Sequence, residues 1–194
     1  MNNDAIKKPK AFISCSLRDQ DKYVVNWVEN FARQFGFEPF GTVGRHDVSP
    51  VPIPELIQQN IHSSDCIIIV GTTRYLQEDV HYKQKTGHGI SELIHVEIGM
   101  AYAQKKPVIA FAFDEVDIGA FLPKITQYIK IDTRQKVLTS EQKQCIEKLF
   151  MNTFLQIKTN WEEQNKKDLQ NLGGGILKIT GVIALISLFF GEDR

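Results

Sequence analysis

SELIHVEIGMAYAQKKPVIAF, residues 91–111, puts a helix and a strand back to back. At helical spacing Ile90, Leu93, Ile94, Ile98 and Ala101 form one apolar stripe. Lys105-Lys106-Pro107 ends the helix, and Val108–Phe113, an unbroken apolar run, reads as a strand buried on both faces. At about 100° per residue Glu97 falls near the middle of the stripe, whereas Glu92 projects from the opposite side. A carboxylate on a buried face is costly unless it is paired or lines a polar cleft. Two readings of Glu97 follow: a structural glutamate bonded to a neighbouring loop, or a catalytic carboxylate in a pocket wall. A helix that feeds directly into a central strand lies next to the ligand crevice of an open α/β sheet, which favours the second.

Working outward, the same alternation recurs. Lys10–Ser16 is an apolar strand ending in small hydroxyl residues. Tyr23–Phe35 is a helix with Val24, Trp27, Val28, Phe31 and Phe35 on one face. Asp19 or Asp21 serves as its N-cap and Gly36 stops it. Phe37–Thr42 is a second strand. Val43–Pro54, with prolines at 50, 52 and 54, is extended and exposed, and Pro54 opens the helix Glu55–Ser63. Cys66–Gly71 is another strand buried on both faces, and Tyr128–Ile131 is the last one. Strand and helix alternate about five times, which predicts an α/β fold with a parallel sheet and helices on both sides.

Between these elements Thr72–Gly89 is polar and reads as a loop with at most a short helix. His81 and His88 are seven residues apart with no second pair nearby, so solvated histidines are expected there and no metal site. His95 lies toward the flank of the Glu97 helix and reads as structural. Asp114–Ile118 is an acidic turn.

After the sheet, Thr139-Ser140-Glu141-Gln142 is a capping box. It opens a helix whose stripe is Ile146, Leu149, Phe150, Phe154, Ile157 and Trp161. Glu162–Asn171 is polar except for Leu169. Leu172–Gly191, LGGGILKITGVIALISLFFG, is apolar apart from Lys178 and two hydroxyls. Its length approaches what crosses a hydrocarbon core of ~30 Å. Lysines before it and acids after it favour a cytoplasmic body with a membrane-associated tail, the other reading being a self-associating helix. The organisation is thus an α/β domain over 8–132, an amphipathic helix and polar linker over 139–171, and a hydrophobic segment over 172–191.

Lys+Arg and Asp+Glu both total 23 in 194 residues, so no electrostatic case for a nucleic-acid partner exists. Cys15, Cys66 and Cys145 lack metal-ligand spacing, and the first two fall in strand runs as buried thiols of a reducing compartment. The first ten residues hold no apolar run, so a cytoplasmic body is expected.

Together these stretches resemble a TIR (Toll/interleukin-1 receptor) domain of the prokaryotic type. Ala11–Asp19, AFISCSLRD, is close to that family's first box, and Gly44–Pro54 stands where its exposed BB loop belongs. A helix, Ser64-Asp65 and a buried strand follow over 57–71, and Glu97 precedes the Lys106-Pro107 strand. The resemblance covers about residues 8–132, with Glu78–Gly89 reading as inserted. It implies a flavodoxin-like fold of five parallel strands. It also implies cleavage of NAD⁺, as substrate and with no cofactor, at the nicotinamide–ribose bond, in antiviral defence or toxicity.

By position Glu97 is the carboxylate that serves that reaction, with Glu92 as competitor. Ser14, Cys15 and Ser16 would line the pocket, Arg18 or Arg45 would meet the diphosphate, and Phe40 or Tyr75 would stack on nicotinamide or adenine. Self-association through this domain and the C-terminal segment is implied as well. A non-catalytic scaffold binding other such domains through Gly44–Pro54 is the alternative. Glu97–Ala103 with Lys106-Pro107-Val108 also resembles nucleoside 2-deoxyribosyltransferases, in which an equivalent glutamate attacks a deoxyribose. Both enzymatic readings converge on an N-glycosidic bond beside a ribose.

Overall fold

The computed structural model describes residues 7–46, 49–78, 81, 85–135 and 137–171. The hydrophobic segment 172–191 lies outside them, as do Asp47 and Val48 of the proline-containing loop. The chain divides into two compact units, Met1–Lys158 and Thr159–Arg194. Of the second, the described part is helical. Among the described residues no helix is long and apolar enough to cross a membrane.

The first unit is built on five parallel strands, β1 (Lys10–Ser14), β2 (Glu38–Phe40), β3 (Cys66–Gly71), β6 (Val108–Phe113) and β7 (Tyr128–Ile131), in the order β2-β1-β3-β6-β7. Without the inserted hairpin of β4 (Tyr75–Glu78) and β5 (Lys85–Gly89) this is the flavodoxin-like strand order. The helices are α1 (Lys22–Gln34), α2 (Ile53–Ser63), α3 (Glu92–Ala103), the single turn α4 (Leu122–Ile125) and α5 (Ser140–Asn171).

Side-chain alternation along the strands feeds two cores. Phe12, Ile67, Ile69, Ala110 and Ala112 meet Ile57 and Ile61 of α2 and Ile94, Ile98 and Ala101 of α3. On the opposite face Trp27 of α1 lies edge-on to Phe111 at 5.9 Å, and Phe150 of α5 lies 6.3 Å from Phe111 and stacks on Phe35 at 4.8 Å. The part of the α5 stripe in the first unit therefore packs on the sheet through Phe150. Its capping box is formed in both directions: Gln142 N donates to Thr139 Oγ1 at 3.1 Å and Thr139 N to Gln142 Oε1 at 2.9 Å.

Three expectations need correction. Leu93 is 48% exposed, because it sits nearly a right angle from the centre of the buried stripe, and Ile90, wholly buried, precedes the helix. The segment read as a polar loop carries an antiparallel hairpin, β4 (Tyr75–Glu78) with β5 (Lys85–Gly89), stitched to the rest through Asp117 N donating to His88 O at 2.6 Å. Its strands lack the alternation that betrays one buried face, so periodicity missed them. The loop after β2 is not simply extended: Val43–His46 turns and is bound to α1.

Candidate active site

The order of strands reverses between β1 and β3, and at such a point ligands bind outside the carboxyl ends of the strands. Ser14 is the last residue of β1, in register with Ile69 of β3, and is 1% exposed. Its Oγ donates to Glu97 Oε2 from α3, across 83 residues of chain. Glu97 is 6% exposed, and among the described residues no lysine, arginine or histidine pairs with it. Burial raises its carboxyl to about 7, against which the Ser14 hydrogen bond pulls down. The second oxygen, Oε1, has no partner among the described residues. It is not among the fully buried unpartnered oxygens, which are Thr72 Oγ1 and Gln104 Oε1, so it keeps a trace of exposed surface.

The other residues singled out from the sequence fall less simply. Cys15 follows Ser14 and is half-buried; burial pushes its thiol up to about 12, so it stays protonated. Ser16 Oγ accepts from Arg18 N at 3.3 Å and Arg18 Nε at 3.2 Å. Arg18 pairs with Asp21 at 2.8 Å and donates to Thr73 O, so it links the loop after β1 to the loop after β3 at the rim of the crevice. Arg45 donates to Glu29 and Asn26 of α1. Each arginine expected to hold a diphosphate is thus engaged by a carboxylate. Phe40, the last residue of the edge strand β2 and in register with Phe12, carries Lys10 Nζ at 4.8 Å from its ring centroid. Tyr75 is 39% exposed on the hairpin, its ring against Gly89. Glu92 is exposed in the first turn of α3. The fold therefore gathers Ser14, Cys15 and Glu97, and commits both arginines elsewhere.

A second buried carboxylate went unremarked. Glu29, 4% exposed on the inward face of α1, sits four residues after Val25 and three before Ala32. That is the pattern that betrayed Glu97, so the signal was present. Arg45, Arg33 at 3.1 Å and His46 at 3.1 Å all meet it. Burial raises its carboxyl, but the hydrogen bonds from His46 and Arg45 outweigh this and hold it at about 2. Glu29 is thus a neutralised structural acid, and Glu97 a buried acid without a cation.

A cleft of about 640 Å³ lined by Lys105, Lys106, Pro107, Val108, Thr126 and Leu149, among others, opens at the amino-terminal edge of β6. It is not lined by Ser14 or Glu97. Parallel-sheet chemistry sits at the carboxyl edge. The Ser14–Glu97 pair is therefore the better candidate despite the size of that cleft. Among the described residues no cluster of metal-ligating side chains is found.

Compared with known proteins, the sequence matches no protein-family model and no curated protein. Among solved structures it is similar to the CMP N-glycosidase BcmB of Clostridium botulinum, with 19% identity, a TM-score of 0.43, and coverage of 74% of this chain and 98% of that one. Identity and superposition at that level say nothing of what this chain acts on.

Proposed function

We propose that the chain is an enzyme cleaving an N-glycosidic bond beside a ribose or deoxyribose, with a nucleoside or nucleotide as substrate and Glu97 as the carboxylate at the sugar. The observation that carries this is the contrast between the two buried glutamates among the described residues. Glu29 meets two arginines and a histidine, whereas Glu97, held at the carboxyl end of β1 beside the switch point, has one serine donor and no cation among the described residues. A buried acid lacking a cation partner, with a near-neutral titration, is the form expected of a catalytic group.

Cleavage of such a bond passes through a transition state with oxocarbenium character, which an adjacent anion stabilises. In the covalent version Glu97 Oε1 bonds to the anomeric carbon as the carbon–nitrogen bond breaks. The bonding pair leaves on the base nitrogen, which takes a proton from water. Water, or a second base in a transfer reaction, then displaces the carboxylate from the glycosyl ester. Because the carboxylate is the active form, activity rises with pH through about 7.

NAD⁺ is the second reading. No cationic side chain pairs with Glu97 among the described residues, and nicotinamide, a positively charged leaving group, needs none as an acid. Against it, Arg18 and Arg45 are already held by Asp21 and Glu29. The test is to incubate the full chain with purine and pyrimidine ribo- and deoxyribonucleosides, their 5′-monophosphates and NAD⁺, following release of free base or nicotinamide, beside Glu97→Ala and Glu92→Ala. Release lost in Glu97→Ala and kept in Glu92→Ala supports the proposal, and the substrate consumed decides between the readings. No turnover of any of them, with concentrated protein, leaves a non-catalytic interaction domain in its place.

A further inference from the structure

Ser14 was expected to line the substrate pocket, but its hydroxyl is already spent on the protein. It is 1% exposed and points at Glu97 Oε2. We infer that Ser14 is the positioning residue of Glu97: its hydroxyl fixes one carboxylate oxygen and leaves the other, Oε1, aimed at the anomeric carbon. The inference rests on the glycosidic reading above for the identity of the reaction, though not for the geometry.

A carboxylate on an isolated helix side chain turns about its last torsion with little cost, since that torsion is broad. Nothing else among the described residues holds Glu97, whose neighbours Ile94, Ile98 and Ala101 are apolar. The serine ends β1, a strand paired on both sides, and is itself in register with Ile69 of β3. It is therefore a fixed point against which a side chain from another layer can be oriented. A hydrogen bond to the ionised form also favours that form, so the same contact maintains a usable fraction of carboxylate near neutrality.

The surroundings leave Ser14 as the one contact that does this. From β1 the adjacent titratable group is Cys15, a neutral thiol. The β3 and β6 residues on this face, Ile67, Ile69, Ala110 and Ala112, carry no charge. On α3 itself Glu92 and His95 are exposed, as are Glu55 and His62 on α2 and Glu115 and Asp117 in the turn after β6. Arg18 and Arg45 are each paired with an acid.

The experiment titrates Glu97 directly, by carbon NMR of protein carrying side-chain-labelled glutamate, with the resonance assigned through Glu97→Gln. The parent, Ser14→Ala and Ser14→Thr are compared without substrate. Ser14→Ala should titrate about one pH unit higher than the parent, given what a charge-assisted hydrogen bond contributes. Ser14→Thr, which keeps the hydroxyl, should stay with the parent. Should the alanine variant not fold, Ser14→Cys, a weaker donor, takes its place, with a smaller upward move.

An unchanged titration in the variant lacking the hydroxyl overturns the inference. With whichever substrate the parent consumes, kcat/KM of Ser14→Ala should fall about tenfold at pH 6, with its rise displaced to higher pH, while Ser14→Thr recovers it. Absence of turnover in the parent would defeat the glycosidic reading and still leave the titration to decide the role of Ser14.

Discussion

Glu29 and Arg45, 16 residues apart in the chain, join α1 to the turn after β2 through Arg45 Nε and Glu29 Oε1. The turn hangs on this contact and on His46, which reaches the same carboxylate oxygen at 3.1 Å.

The pair gives a first prediction. Glu29 is held at about 2 in the folded chain against an ordinary 4.5, so its contribution is present above pH 4.5 and lost as pH falls toward 2. Glu29→Gln should cost about 1–2 kcal/mol at pH 7, because it leaves the partly buried Arg45 without its carboxylate while solvent screens the more exposed Arg33. Urea denaturation across pH 3 to 7 checks both: the gap between variant and parent should narrow on the acid side.

Glu97 behaves in the opposite sense. Its folded value, about 7, lies above the ordinary 4.5, so its favourable contribution is complete below pH 4.5 and disappears as pH rises through 7. Glu97→Gln should therefore match the parent near pH 4.5 and exceed it by about 2–3 kcal/mol at pH 8, while turnover falls at least about a hundredfold. A variant more stable and inactive separates the catalytic role from a structural one; a variant equally unstable at both pH values refutes it.

Gly41 offers a steric test. It has φ of +76°, and a Cβ there would lie 2.9 Å from Asn60 Cβ and 3.1 Å from Phe12 Cδ2. Asn60 in turn donates to Gly41 O at 2.8 Å. Gly41→Ala should lose about 2–3 kcal/mol, from the left-handed backbone and the overlap together. The midpoint of chemical denaturation measures it.

At the start of α5, Thr139→Ala removes one half of a reciprocal cap. The cost should be about 1 kcal/mol in thermal or urea unfolding, with no change in any activity, since the cap is remote from Ser14 and Glu97 in the chain.

Much of this fold could be read from residue order because its signals were strong and local. Cys66–Gly71 and Val108–Phe113 are unbroken apolar runs, and both are central strands buried on two faces. Glu97 could be placed because one charged residue interrupts an otherwise apolar stripe. The arginines were harder. Arg18 and Arg45 lie in loops, where periodicity says nothing of direction; Arg18 turns onto Asp21 three residues on, and Arg45 meets Glu29 through the docking of α1. Ser14 was located correctly at the end of its strand, but its hydrogen bond belongs to a helix 83 residues away and no local pattern announces it. The hairpin Tyr75–Glu78 with Lys85–Gly89 lies outside the main sheet, so the core imposes no alternation on it.

The Ser14–Glu97 contact joins an early strand to a late helix, and this has a bearing on biosynthesis. While a ribosome is still adding residues before Glu97, the emerged portion holds the hydroxyl but not the acid. Once α3 has been made, Ile94, Ile98 and Ala101 find apolar partners already present on β3 and α2. The glutamate thus gains its buried setting and its raised proton affinity only when α3 has seated on strands made well before it.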